Sequence, residues 1–289
     1  MTVKKISFIG LGIMGRPMTL NLMKAGFELH IWARHPEKVK GLIEAGAHWH
    51  DSAAEAASVV DAVITMVGNP ADVEEVYCGE KGLLKAARPG TYLIDMTTSS
   101  PELAVKLFEE GKSRGLSTLD APVTGGESGA QNATLAIFVG GEKDAFEACR
   151  PVLDAMGTCV SLMGPAGCGQ HSKMANQILL AGALTGVCEA LTYAERAGLD
   201  LKTLFPLLCS GVASSRQLEI FGPKIMAGDD TPSFFIKYLA KDLRIGVKEA
   251  QARGLDLSSA KNTLASLDEL TARGLGELGT QALVHHYKG

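Results

Sequence analysis

Cysteine is sparse and never closely paired. The 289-residue chain has six, Cys78, Cys149, Cys159, Cys168, Cys188 and Cys209, with no C-x-x-C. That excludes a zinc ribbon and a dense disulfide framework, and it fits a reducing, cytoplasmic setting. Excess charge of one sign is also missing: 28 Lys+Arg stand against 32 Asp+Glu, a net charge of −4. An electrostatic nucleic-acid footprint and a polybasic membrane anchor are therefore not expected. Long apolar runs are missing as well. The run near the N-terminus reaches glycine too soon for a secretory segment. Ile178 to Cys188 is interrupted by Gly182, Thr185 and Gly186 and stopped by Glu189, short of the ~20 residues a bilayer needs. His171, His285 and His286 have no metal-ligand spacing, so no metal is expected. What remains, 46% apolar and 21% charged residues, is enough for a real core in one large domain or two ordinary ones, with small molecules as partners.

The first half alternates short β-rich runs with helical patterns, which implies βαβ crossovers and a largely parallel sheet. Candidate strands are Lys5–Ile9, Glu28–Trp32, Ala62–Met66, Tyr92–Asp95, Ser117–Asp120, Leu135–Val139 and Cys159–Leu162. Most are apolar throughout, as when helices cover both faces. From about Gly164 only helical patterns follow, over Gly169–Ala197, Lys202–Cys209, Ser215–Ala227, Leu239–Arg253 and Ser258–Arg273. The expected architecture is α/β: a Rossmann-type dinucleotide-binding domain over 1–163 and an all-α domain over 164–289. A long helix of roughly 40 Å at 1.5 Å per residue would join them and wall an interdomain cleft.

Gly10-Leu11-Gly12-Ile13-Met14-Gly15 is a G-x-G-x-x-G directly after a strand and opening a helix. Gly10 permits the tight turn, Gly12 lets the backbone approach a pyrophosphate, and Gly15 lets helix and strand pack closely, with phosphate at the positive helix N-terminus. NAD-selective sites place a carboxylate about 20 residues further on. Here the second strand ends His30-Ile31-Trp32-Ala33-Arg34-His35. Arg34 suits a 2′-phosphate, aided by His35 or Lys38, so NADP is expected ahead of NAD. The bland alternative is a solvated loop cation.

Three further segments carry candidate chemistry. Thr124-Gly125-Gly126 follows a strand and precedes a helical segment, offering backbone N–H groups to a carboxylate, or forming only a turn. Asp95-Met96-Thr97-Thr98-Ser99 presents hydroxyls at a carboxyl edge of the sheet, or caps the helix after Pro101. Lys173 and Asn176 project from one face of an otherwise apolar helix. An ammonium there can donate a proton to a carbonyl oxygen as hydride arrives, although a helix lysine is usually solvated.

Gly10–Met18, Asp120–Gly126, Gly169–Gln177 and Lys241-Asp242-Leu243 together resemble the β-hydroxyacid dehydrogenase family, in order and over essentially the whole chain. The family includes 3-hydroxyisobutyrate dehydrogenase and tartronate semialdehyde reductase. The resemblance implies an NAD(P)-dependent oxidoreductase acting on a small β-hydroxyacid and its semialdehyde, as a homodimer or homotetramer. It implies that Gly10, Gly12 and Gly15 hold the pyrophosphate within a cofactor-binding loop that includes Leu11, Ile13 and Met14. Met66, Val67 and Thr97 would lie near the nicotinamide. Thr124, Gly125 and Gly126 would bind the substrate carboxylate, Asn176 would orient the substrate, and Lys173 would be catalytic. Lys241 would reach the cofactor, positioned by Asp242. The family commonly has Ser where Thr124 stands and Gly where Ala133 stands. Two rivals remain: an imine reductase on the same scaffold, which typically lacks this lysine, and a non-catalytic nucleotide-binding module.

Overall fold

The computed structural model describes residues 3–33 and 35–288. Contacts divide the chain into two compact units, Met1–Lys173 and Met174–Gly289.

The first unit contains nine strands among the described residues: β1 Lys5–Ile9, β2 Glu28–Trp32, β3 His48–Trp49, β4 Ala62–Thr65, β5 Tyr92–Asp95, β6 Ser117–Asp120, β7 Val123–Thr124, β8 Leu135–Gly140 and β9 Gly157–Gly164. They form one sheet in the order β3-β2-β1-β4-β5-β6-β8-β7, with β9 beside β8. Strands β1 to β6 pair in parallel, β8 runs antiparallel to β6 and β7, and β9 is parallel to β8. The two-residue strands β3 and β7 were not expected from sequence, because two residues cannot display a period of 2.

Helices connect the strands: α1 Gly15–Lys24, α2 Lys40–Glu44, α3 Ala53–Ser58, α4 Pro70–Cys78, α5 Leu83–Ala86, α6 Pro101–Lys112, α7 Gly126–Gln131 and α8 Lys143–Asp154. Alternating strand residues feed two separate cores. Ile6, Phe8, Ile64 and Ile94 pack with Met18 and Leu22 of α1. Ile9, Val63 and Leu93 pack with Tyr77 of α4 and Leu107 of α6. Both faces of the sheet are thus covered along β1, β4 and β5, which is why these strands read as largely apolar runs. Ile13 lies in the loop before α1 and is 46% exposed.

Strand order reverses at β1, which lies between β2 and β4. In open α/β sheets the crevice at the carboxyl ends of strands flanking such a reversal is where ligands bind. Gly10 follows β1 there, and Met66 follows β4.

Helix α9, Cys168–Arg196, starts in the first unit and runs on into the second, where α10 Leu201–Ser210, α11 Arg216–Ala227, α12 Ile236–Ala252, α13 Ser258–Ala272 and α14 Val284–Lys288 follow. The interruptions at Gly182, Thr185 and Gly186 do not break α9. By length and composition it is long and apolar enough to cross a membrane. Here Ala181, Leu184, Cys188 and Leu191 instead pack with Leu218, Phe221, Leu239, Leu243 and Leu267 in the core of the second unit. Tertiary packing of an apolar face outweighs the modest helix propensity of Gly and Thr.

Candidate active site

The glycine loop is shaped by close backbone approach. Gly10 has φ +98°, and a Cβ on it would collide with the carbonyl of Met66. A Cβ on Gly15 would strike the Gly10 carbonyl and approach the Phe8 ring at 2.9 Å, whereas one on Gly12 would meet nothing within 4 Å. Two glycines therefore exist to bring strand, loop and helix together, and the third leaves open space. α1 has no side-chain cap at Met14 and no acidic residue in its first turn. Within the first turn the Arg16 N–H already donates to the Gly12 carbonyl at 3.0 Å and Pro17 has no N–H, so what α1 offers an anion is chiefly the positive end of its dipole. These features fit the pyrophosphate of a dinucleotide.

From this loop a line of hydrogen bonds runs across the sheet edge. Val67, whose side chain lies 3.2 Å from that Gly10 Cβ position, donates its N–H to Thr97 Oγ1 at 3.0 Å. The Thr97 N–H donates to Asp95 Oδ1 at 3.1 Å, and Thr65 Oγ1 donates to the same oxygen at 2.8 Å. Thr65 Oγ1 also lies 3.1 Å from the hydroxyl of buried Tyr77. Beyond Thr97, its carbonyl accepts from Gln170 Nε2 at 2.8 Å, and Gln170 Oε1 accepts from the Ser99 N–H at 2.9 Å. Asp120 accepts from the Gly167 and Gln170 N–H groups, both at 2.8 Å. The sequence thus brings Met66, Val67 and Thr97 together with the glycine loop, and ties that edge to the start of α9.

Asp95 and Asp120 face each other in register on adjacent parallel strands. Burial pushes the Asp95 carboxyl up to about 6, partly offset by the Thr97 and Thr65 hydrogen bonds, with repulsion from Asp120 adding to the rise. Burial likewise pushes Asp120 up to about 6 against the backbone donors of Gly167 and Gln170. Sequence reasoning quoted Asp120 as part of a motif and Asp95 as a strand end, and assigned neither a role. Gln170 and Ser99 were also missed as partners. The signal available was the pair of strands each ending in Asp, where a carboxylate faces a following helix.

Lys173 stands one turn beyond Gln170 on α9 and is only 6% exposed. Helix lysines keep their ammonium in water unless something holds it in, so this burial sets Lys173 apart. Thr124 ends β7 and is half-buried; Gly125 (φ +133°) and Gly126 (φ +63°) follow it, both exposed. Ser100, rather than the Thr97–Ser99 hydroxyls, caps α6 by accepting from the Leu103 N–H at 3.1 Å.

In the second unit Asn176 Nδ2 donates to Gln177 Oε1 at 2.7 Å, and Gln177 Nε2 donates to Asp242 Oδ2 at 2.7 Å. Asp242, 2% exposed, pairs with the Lys241 ammonium at 3.0 Å. A buried relay of amides and one carboxylate thus fixes Asn176 and Lys241 relative to each other; Gln177 is the member that spacing did not reveal. Arg34, on which the NADP expectation rests, lies outside the described residues.

This fold, with a glycine-rich turn at the sheet's switch point and an NAD-binding domain model matching residues 5–164, defines a dehydrogenase that uses a nicotinamide dinucleotide. The matching model is the NAD binding domain of 6-phosphogluconate dehydrogenase, and the NAD-binding domain of NADP-dependent 3-hydroxyisobutyrate dehydrogenase matches residues 167–287. The chain is 43% identical to an uncharacterized oxidoreductase, YkwC, of Bacillus subtilis, over 97% of each chain. It is 37% identical to 2-hydroxy-3-oxopropionate reductase of Escherichia coli, over 97% of this chain and 96% of that one. The structure of Mycobacterium tuberculosis 3-hydroxyisobutyrate dehydrogenase with L-serine superposes with a TM-score of 0.90 at 31% identity, covering 100% of both chains. The chain belongs to the β-hydroxyacid dehydrogenase family.

Proposed function

We propose that this dehydrogenase interconverts a small β-hydroxyacid and its semialdehyde, with a substrate like that of tartronate semialdehyde reductase (2-hydroxy-3-oxopropionate reductase) or 3-hydroxyisobutyrate dehydrogenase. One observation carries the reading: the ammonium-bearing side chain of Lys173 is buried, a turn beyond the residue bonded to the Thr97 strand end. The bound cofactor supplies or accepts the hydride. Reduction of a carbonyl builds negative charge on its oxygen, and Lys173 donates the proton there. During oxidation the neutral amine accepts it. Burial keeps that transfer away from bulk water.

Gly10, Leu11, Gly12, Ile13, Met14 and Gly15 hold the dinucleotide, with Met66, Val67 and Thr97 beside it and Lys241 reaching it. Thr124, Gly125 and Gly126 bind the carboxylate, and Asn176 orients the substrate. Arg34 favours NADP over NAD. Residues 1–163 serve as the dinucleotide-binding domain and 164–289 as the substrate and oligomerisation domain. Exposed Leu179, Tyr193 and Leu207 in the helical half support a homodimer or homotetramer. The six free thiols support a cytoplasmic setting.

The test is a panel of C3 and C4 hydroxyacids and semialdehydes, with a cyclic imine as control, assayed with NADPH and with NADH on the wild type and Lys173→Ala. Turnover of a semialdehyde that falls by orders of magnitude in Lys173→Ala is expected. Turnover of the imine alone, or of nothing despite cofactor binding, overturns the reading.

A further inference from the structure

A helix leaves its first N–H groups without intrahelical partners, and one side-chain acceptor is the usual remedy. The start of α9 is tied down far more heavily. Both oxygens of buried Asp120 accept from it, one from the Gly167 N–H and one from the Gln170 N–H. The side chain of Gln170, fully buried, makes two more bonds to the β5 end, accepting from Ser99 and donating to Thr97. Packing adds to the restraint. A Cβ on Gly169 would run into the Asp120 and Phe138 carbonyls, and one on Gly140 would run into Asp120 Oδ1. Four hydrogen bonds from two adjacent strand ends therefore fix both the height and the rotation of the helix at Gln170. Lys173 lies three residues on, so it shares a face with Gln170.

We propose that Asp120 and Gln170 are positioning residues that set where the Lys173 ammonium is aimed, by locking the first turn of α9 to the ends of β5 and β6. This rests on the reading of Lys173 as the proton donor. The same bonds join the lysine's helix to Thr97, whose hydroxyl holds the Val67 N–H beside the glycine loop. Proton donor and cofactor edge are thereby referenced to one frame.

The experiment compares Asp120→Asn, which keeps the side-chain shape but replaces one acceptor oxygen by a donor, with Gln170→Met, which removes both side-chain bonds at similar length. Each is made alone and combined with Lys173→Ala. For the single variants kcat is expected to fall ~10- to 100-fold while dinucleotide Kd stays within about twofold, since misplacement of a reacting group costs on that order. The primary deuterium isotope effect on kcat should rise as the chemical step becomes limiting. In the Lys173→Ala background the same substitutions should cost nothing further, because groups acting through one another are not additive. A kcat within about twofold of wild type, a loss of dinucleotide affinity that tracks kcat, or full additivity with Lys173→Ala would overturn the proposal. Should Asp120→Asn fail to fold, Gln170→Met decides by the same criteria. Should Lys173→Ala itself remain active, the proton-donor reading fails, and the clamp is left positioning nothing catalytic; the single variant tells that outcome apart from the others.

Discussion

In the first unit the groups offered at the carboxyl edge of the sheet are largely main-chain: the open loop at Gly12, the positive end of α1, which no acidic side chain caps, and the left-handed turn at Gly125 and Gly126. In the second unit the polar groups are side chains locked to side chains, from Asn176 through Gln177 and Asp242 to Lys241. A backbone cradle suits a phosphate or carboxylate, which accepts several N–H bonds and needs only their direction. A single proton or hydroxyl must be met by one atom at one place, which a packed side chain held by a network can provide. Lys173, buried at the end of the first unit, belongs to the second kind.

The sharpest way to break this contrast is Lys173→Ala. If side chains do the chemistry and backbone does the holding, kcat falls ~10²- to 10⁴-fold, the range for a lost general acid, while dinucleotide Kd is nearly unchanged. Steady-state rates with a fluorescence titration of cofactor check both. A parallel loss of affinity would show that the lysine also helps bind the cofactor.

Next in size is the cost of the buried acids. Asp95 rises to about 6 from 3.8, so the native state binds its proton more tightly than the unfolded chain does. Its contribution to stability is therefore fully present below about pH 4 and is lost as pH rises through about 6. Asp95→Asn cannot titrate. The unfolding free energy of wild type minus that of the variant should fall by up to ~2–3 kcal/mol across this window and then level off, as urea denaturation at several pH values would show. A flat difference would mean that Thr65 and Thr97 stabilise the carboxylate as well as water does.

Why the two kinds of site differ in legibility follows from the same physics. Gly10 and Gly15 are needed because a Cβ would collide with backbone, and a requirement for no side chain at fixed spacing is visible in a sequence. The central strands were equally visible, since covered faces favour apolar residues at most positions, whereas β9, the longest, is exposed at about every other residue. Lys173 and Asn176 at i, i+3 on an apolar helix could be marked as candidates, but the same spacing fits an ordinary solvated helix pair, and it took resemblance to a family to give them roles. Gln177, Gln170 and Asp120 were silent because their partners lie 65, 71 and 47 residues away in sequence. Strands β3 and β7 were silent because they are too short for a pattern.

The backbone half of the comparison is sharpened by separating two glycines. Gly15→Ala forces a Cβ against the Gly10 carbonyl and the Phe8 ring, an overpacking that should cost ~1–3 kcal/mol of stability. Gly12→Ala meets nothing within 4 Å, so the fold should tolerate it, yet the methyl occupies the space a pyrophosphate would use. Thermal unfolding with and without dinucleotide distinguishes the cases: Gly15→Ala lowers Tm in both, and Gly12→Ala only abolishes the ligand-induced rise. If Gly12→Ala kept that rise, the open space would not be the phosphate site.

The smallest expected effect concerns a side chain doing what the backbone does elsewhere. The segment from His30 to His35 has no carboxylate to accept from ribose hydroxyls, so nothing there selects NAD by attraction or repels a phosphate. Arg34 can pair with a 2′-phosphate through a guanidinium fork, a charge-assisted bond worth ~1.5–3 kcal/mol when well formed and less where water screens it. Arg34→Ala should therefore weaken NADPH by about tenfold and leave NADH within about twofold, with a loss that shrinks as salt rises. Competitive titration of both cofactors at two ionic strengths reads this directly. Equal weakening of the two would place Arg34 on the shared part of the dinucleotide, and selectivity would then have to come from the backbone edge as well.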